Sequence, residues 1–207
     1  MSFKKNKYSV IKKAISPDLA AFCYVYFLNK RTVTKFLFEE KYLHPFEEMF
    51  GVWNDDQVPN TYSHYADMVM ETLLVSLVPR MEKETGLKVS PTYSYARIYK
   101  NGDILHRHSD RFSCEVSTTL NLGGDPWPIY LEPSGKKDMA GIKINLDPGD
   151  MLIYRGCELE HWREAFEGQH CGQVFLHYND QKSKDADKNK YDGRPMIGLP
   201  AYFAKRK

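Results

Sequence analysis

The sequence predicts an α+β chain with a mainly β core. A helical first half, about residues 1–86, leads into a jelly-roll-type β domain over about 87–180, and a tail covers 181–207. Three observations carry this. Apolar residues recur at helical spacing before Gly86, the pattern changes to period two from Leu87, and short apolar runs then alternate with Gly/Pro turns. No linker separates the halves. The 207 residues are therefore read as one domain whose helices cover an outer face of the sheet.

Residues 8–15 alternate loosely and read as an edge strand. Ser16-Pro17-Asp18 then opens a helix over about 17–30: Ser is an N-cap, Pro suits the first turn, and Asp suits the positive end of the dipole. Leu19, Phe22, Cys23, Tyr26 and Phe27 share its apolar face. A second helical stretch covers 32–40. Residues 44–62, with Pro45, Gly51 and Pro59, read as a loop. Residues 62–85 give the clearest helix, capped by Ser63, kinked at Pro79 and ended by Gly86.

In the second half, Tyr93, Tyr95, Arg97 and Tyr99 fall on one face of a strand, with Ala96 and Ile98 on the other. Further strand-like runs lie near 113–122, 128–132, 141–146, 150–155 and 171–179, separated by turns at 123–126, 133–135 and 147–150. Short strands at such spacing suit a sandwich or barrel. Residues 181–194, rich in Lys and Asp without an apolar period, read as a mobile surface segment. The apolar patch from Met196 to Phe203 is expected to dock back on the body.

Composition narrows the function classes. A net charge of +2 gives no whole-molecule attraction for nucleic acid or membrane. The longest apolar run is too short to span a bilayer. Four cysteines without a CxxC pair argue against structural zinc or a disulfide framework and read as reduced and mostly buried. No apolar stretch follows the basic start, so a soluble, cytoplasmic protein is expected. The 14 Tyr and 11 Phe suit an aromatic core or a ligand cavity.

The chemistry concentrates in His108-Ser109-Asp110. In extended chain, positions two apart face the same way, so one imidazole and one carboxylate meet at one point. They make two of the three ligands of a facial 2-His-1-carboxylate site, which leaves open positions for substrates. His161, downstream of the 150–155 run, is the candidate third ligand. Tyr154 and Trp162 are candidate pocket walls. A cupin-type site using His106 and His108 competes. It needs a further Glu where the chain has Phe112 and Ser113, and Glu115 comes late. A non-catalytic β-barrel binding module is the other alternative.

Tyr99-x-x-Gly102, His108-x-Asp110 and Pro148-Gly149-Asp150 leading to His161 together resemble the Fe(II)- and 2-oxoglutarate-dependent oxygenases, most closely the prolyl 4-hydroxylase-like branch. The resemblance covers roughly residues 87–180. It implies a double-stranded β-helix, with the 62–85 helix on its outside. It implies Fe(II) on His108, Asp110 and His161, 2-oxoglutarate as co-substrate, and ascorbate as an optional accessory. The implied reaction hydroxylates a C–H bond, with decarboxylation of 2-oxoglutarate to succinate and carbon dioxide. A peptidyl or free proline-like residue is the leading substrate, and other small molecules stay open.

By the same resemblance, Tyr99 donates to the far carboxylate of 2-oxoglutarate, and Thr119 helps line its pocket. The family's usual Arg or Lys after the distal His is missing; His170, Cys171 and Gly172 stand there, and Gln173 follows. A protonated His170 or a neutral Gln173 are candidate replacements, with Arg97 as another. Arg111 and Arg163 neighbour metal ligands in sequence, but their offsets alone do not place them in the pocket. Segments 51–62 and 181–194 read as surface loops or as lids.

Overall fold

The computed structural model describes residues 3–44, 46–137 and 139–204. Pro45, counted above among the loop formers, and the last three residues of the tail lie outside the described residues. A single helical turn, α1 (Phe3–Asn6), precedes the short strand β1 (Tyr8–Ile11). Helix α2 (Pro17–Glu39) follows, and the Ser16 hydroxyl accepts from the Leu19 N–H at 3.1 Å. The two helical stretches expected here are one continuous helix, because no Pro or Gly interrupts residues 18–39.

The expected long helix over 62–85 divides into three elements. Tyr62–Tyr65 is strand β2, which pairs with Arg97 and its neighbours on the next strand. Tyr-Ser-His-Tyr suits a pleated surface, and pairing with a neighbouring strand overrides the helical spacing. The N-cap is therefore Asp67, not Ser63: its carboxylate accepts from the Val69 and Met70 N–H groups at 2.9 and 3.1 Å. Helix α3 (Met68–Ser76) stops at Leu77, and α4 (Val78–Thr85) starts with Pro79 in its first turn. Pro79 thus breaks the helix rather than kinking it, since it has no N–H for the preceding turn. Gly86 caps α4 at φ +72°, as its position suggested.

Eight strands follow: β3 (Val89–Lys100), β4 (Leu105–His108), β5 (Val116–Gly124), β6 (Ile129–Leu131), β7 (Ile142–Ile144), β8 (Met151–Tyr154), β9 (His161–Arg163) and β10 (His170–Asp180). All pair antiparallel, in two sheets ordered β1-β8-β5-β10-β3-β2 and β4-β9-β6-β7. Helix α2 lies against β5, and α3 and α4 lie against β3. The core between helices and large sheet holds Phe27, Met70, Leu74, Ile98, Leu120 and Val174. Burying each such side chain contributes about 1.5–3 kcal/mol. Gly172 lets β10 approach α2: a Cβ there would lie 2.5 Å from the Tyr24 ring.

The tail corrects one expectation. Residues 181–194 do not form a free surface segment. Arg194 is buried and grips the buried Glu71 with both Nη atoms, at 3.1 and 2.9 Å, while Gly198 N–H donates to the same carboxylate at 2.6 Å. Asp192 accepts from Arg111, Ser113 and Tyr65 at 2.6–2.9 Å. Charges that read as solvated in the sequence have partners on the body. The apolar patch beyond docks at its middle, where Gly198 bonds Glu71, the Leu199 carbonyl accepts from Arg194 and Pro200 is buried, while Met196, Tyr202 and Phe203 stay exposed. Among the described residues, no helix is long and apolar enough to cross a membrane. The four cysteines are unpaired, and only Cys157 is exposed.

Candidate metal centre

His108 ends β4 and His161 begins β9, and the two face each other across that strand pair. Asp110 follows β4 by two residues, and its backbone N–H donates to the Gly156 carbonyl at 2.8 Å. Asp110 Oδ1 lies 3.7 Å from His108 Nε2 and 3.6 Å from His161 Nε2. All three ligand atoms lie within 4.8 Å of one another. Ligand atoms that share a divalent ion at about 2.1 Å stand roughly 3–3.5 Å apart, so small side-chain adjustments would close this set on one ion.

The protonation pattern is set by neighbours. His108 Nδ1 meets the His106 carbonyl at 2.7 Å, and His161 Nδ1 meets the Leu159 carbonyl at 3.1 Å. A carbonyl only accepts, so each Nδ1 carries the proton and each Nε2 turns a lone pair inward. Ser117 Oγ donates to Asp110 Oδ2 at 2.6 Å and meets His177 Nδ1 at 3.1 Å. That leaves Oδ1 for the imidazoles. Ser117 and His177 are cross-strand partners on β5 and β10. Sequence reading did not find them as supports of Asp110, although His177 sits in phase with Gln173 and Phe175 on an inward face.

Burial shapes the electrostatics. It lowers the His161 pKa, against an opposing pull from Asp110, and so favours a neutral imidazole. It likewise pushes His177 down to about 4. Burial alone would raise Asp110, but His161, His177 and the Ser117 hydrogen bond bring it below its ordinary value. Two imidazoles and a carboxylate form an oxygen–nitrogen donor set that fits iron(II).

The triad lines a cavity of about 520 Å³ with Tyr93, Tyr95, Arg97, Leu105 and Tyr154 among its other walls. The Tyr154 ring packs on His161 with centroids 4.6 Å apart. Trp162, expected to share that wall, alternates to the other face of β9. There it stacks on Tyr130 at 5.5 Å beneath the Arg107 guanidinium. His106 is exposed and offers the centre only its carbonyl, which removes the cupin-type ligand set. The 51–62 segment reaches into the cavity: Asp55 pairs with Arg97 and accepts from Tyr95, and Gln57 Nε2 donates to His108 Nε2 at 3.2 Å.

The remaining sequence candidates divide by face. Tyr99 is buried, and its hydroxyl accepts from Arg97 Nη1 at 3.0 Å. Thr119 is buried on β5 and donates to Gln173 Oε1 at 3.1 Å. Gln173 and Cys171 stand opposite Arg97 and Tyr99 on β3 and share their face. His170 stands opposite Lys100, on the face of Gly172 and Ile98 that turns away from Tyr99. Burial also lowers its pKa, aided by nearby Arg31, so it does not supply the cation considered for it. Strand alternation puts 171 and 173 inward and 170 outward. Arg163, which the sequence offsets left undecided, lies inward with His161 and reaches Thr119 Oγ1 at 3.3 Å.

No family model matches the chain, and no curated protein matches it. Solved structures do. The chain resembles a Pseudomonas putida prolyl-4-hydroxylase with TM-score 0.61 and 14% identity over 86% of this chain and 95% of that one. It resembles SnoN, a non-heme alpha ketoglutarate dependent epimerase from nogalamycin biosynthesis, with TM-score 0.65 and 13% identity over 86% and 78%. It resembles EctD from S. alaskensis, solved with 2-oxoglutarate and 5-hydroxyectoine, with TM-score 0.61 and 15% identity over 99% and 82%. At these identities the likeness establishes the fold: a mainly β, antiparallel architecture shared with proteins of these descriptions.

Proposed function

We propose that the chain is an Fe(II)- and 2-oxoglutarate-dependent oxygenase built on a double-stranded β-helix, with His108, Asp110 and His161 as the metal ligands. One observation carries the reading. Asp110 Oδ1 faces the Nε2 atoms of both histidines at 3.7 and 3.6 Å, while carbonyls hold both Nδ1 protons on the far side. A structural ion pair would not require two imidazoles with their lone pairs turned to the same carboxylate oxygen. The neighbours' fold and the 2-oxoglutarate in one of them support the same reading.

Iron(II) and 2-oxoglutarate bound there would support C–H hydroxylation with dioxygen as the oxidant, one oxygen atom going to the product and the other to succinate, with release of carbon dioxide. This chain's residues do the rest. His108, Asp110 and His161 hold three positions on one face and leave the others open. Tyr99, Thr119 and Gln173 offer hydroxyl and amide groups at the inner end of the site. Tyr93, Tyr95 and Phe175 give the cavity an aromatic wall that excludes water. The 51–62 segment, hooked on Arg97 by Asp55, acts as the lid.

The cavity's size suits a small molecule or one residue of a peptide. A proline-like ring fits the aromatic wall, and the prolyl-4-hydroxylase neighbour favours it. The test is to incubate the protein with Fe(II), ascorbate and 2-oxoglutarate under air and to measure succinate. Turnover abolished by His108→Ala supports the reading. Absence of both iron binding and 2-oxoglutarate binding would sink it.

A further inference from the structure

We infer that Arg163 on β9 is the cation that grips the far carboxylate of 2-oxoglutarate, in place of the basic side chain missing from β10. The inference rests on the oxygenase reading above and assigns a residue outside the His108, Asp110 and His161 motif.

Among the described residues, three arginines are buried: Arg97, Arg163 and Arg194. Arg97 is paired with Asp55, and Arg194 is paired with Glu71. Arg163 has no carboxylate among the hydrogen bonds found for it. Its Nη1 donates to the Trp127 carbonyl, its Nη2 reaches Thr119 Oγ1 at 3.3 Å, and its Nε has no partner among the described residues. A guanidinium keeps its charge at any ordinary pH, and a buried charge without a counter-ion is costly. Such a side chain is built to receive an anion.

Its position says which anion. His161 and Arg163 are two residues apart on one short strand, so both face inward, separated by about 7 Å of chain. Across β4, Arg163 stands opposite Leu105, which lines the metal cavity. A dicarboxylate that chelates the metal through its keto end would direct its far end along this strand. Thr119 already links Arg163 to Gln173, so a hydroxyl and an amide stand ready beside the guanidinium. The inward β10 positions hold the uncharged Cys171 and Gln173, and Gly172 between them faces Tyr24 of α2. The charge comes instead from the neighbouring strand, and its planar fork matches a carboxylate.

The test compares 2-oxoglutarate with 2-oxobutyrate, which keeps the keto-acid chelate and lacks the far carboxylate. Affinities are measured by calorimetry on protein loaded with Mn(II), without oxygen. Wild type is expected to prefer 2-oxoglutarate. Arg163→Gln is expected to lose about 10- to 100-fold of that affinity, the span of a lost charge-assisted hydrogen bond, with 2-oxobutyrate nearly unchanged. Arg97→Gln is expected to keep the preference. An unaltered preference in Arg163→Gln, or its loss in Arg97→Gln alone, overturns the inference. If Arg163→Gln does not fold, the uncharged Arg163→Met takes its place: a selective fall in 2-oxoglutarate affinity supports the inference, and an unchanged ratio overturns it. If wild type holds the metal yet shows no preference for 2-oxoglutarate, the oxygenase reading fails, and this inference falls with it.

Discussion

The Ser117 hydroxyl donates to Asp110 Oδ2 at 2.6 Å and thereby leaves Oδ1 as the oxygen that faces both imidazoles. A carboxylate held by one oxygen has little freedom to swing away from its ligand position. Ser117→Ala is expected to lower metal affinity about 10- to 100-fold, the usual effect of losing a group that orients a ligand. Metal titration with thermal melting checks this, and the melting temperature without metal should change little.

Gly156 leaves the room that this placement needs. A Cβ there would lie 2.3 Å from Asp110 Oδ2 and 2.4 Å from the Cys114 carbonyl. Gly156→Ala must therefore displace the carboxylate or its backbone. Metal affinity is expected to fall at least about tenfold. Equal affinity for wild type and variant would show that Asp110 is not held as described.

The tail is an integral part of the fold. Glu71 and Arg194 have no exposed side-chain surface, and they meet at 2.9 Å. Removing one partner leaves the other charged and buried, so Arg194→Ala is expected to cost about 3–5 kcal/mol in urea unfolding. Replacing both with apolar residues of similar volume should cost much less. A loss under 1 kcal/mol for Arg194→Ala, about what a surface pair contributes, would return the tail to the free segment that its composition suggests.

Asp67 caps α3 and also pairs with Lys30 at 2.5 Å. Burial would raise its pKa, but His64, with Nδ1 3.3 Å away, and the Lys30 charge hold it far below the ordinary range. Its folded-state pKa is below its unfolded value, so its contribution is fully present above about pH 4 and is lost as pH falls below that. Asp67→Asn keeps the cap geometry but removes the charge. Its stability deficit against wild type is expected to shrink as unfolding is measured at falling pH below about 4. A deficit that stays constant there would contradict this origin.

The 51–62 segment carries one ion pair into the cavity. Asp55 meets Arg97 and Tyr95 inside the cavity, and Gln57 bridges Arg97 and His108 at 3.2 Å on each side. Asp55→Ala is expected to speed amide hydrogen exchange in residues 51–62, through a local opening about 1–3 kcal/mol easier, with little change in the strands. Uniform exchange in wild type and variant would mean that the segment is held by other contacts.

The three candidate ligands could be picked out in the sequence because their signal is local: His108 and Asp110 share a face by spacing alone, and His161 follows a well-marked strand. Period two also marked the inward face of β3, where Tyr93, Tyr95 and Arg97 line the cavity. The same alternation pairs Arg163 with His161 and turns Trp162 and His170 outward, a signal present in the sequence but not followed there. Other features depend on distant partners. Ser117 meets His177 only because β5 pairs with β10, and Glu71 meets Arg194 across most of the chain. Tyr62–Tyr65 became a strand because β3 offered an edge, which its own spacing could not reveal.

The most direct test of the metal centre is an anaerobic Fe(II) titration of wild type, His161→Ala and Asp110→Ala, followed by addition of 2-oxoglutarate. One tightly bound iron per wild-type chain, tighter 2-oxoglutarate binding in its presence, and loss of both in the two variants are the expected results. Iron bound equally well by wild type and Asp110→Ala would contradict the account.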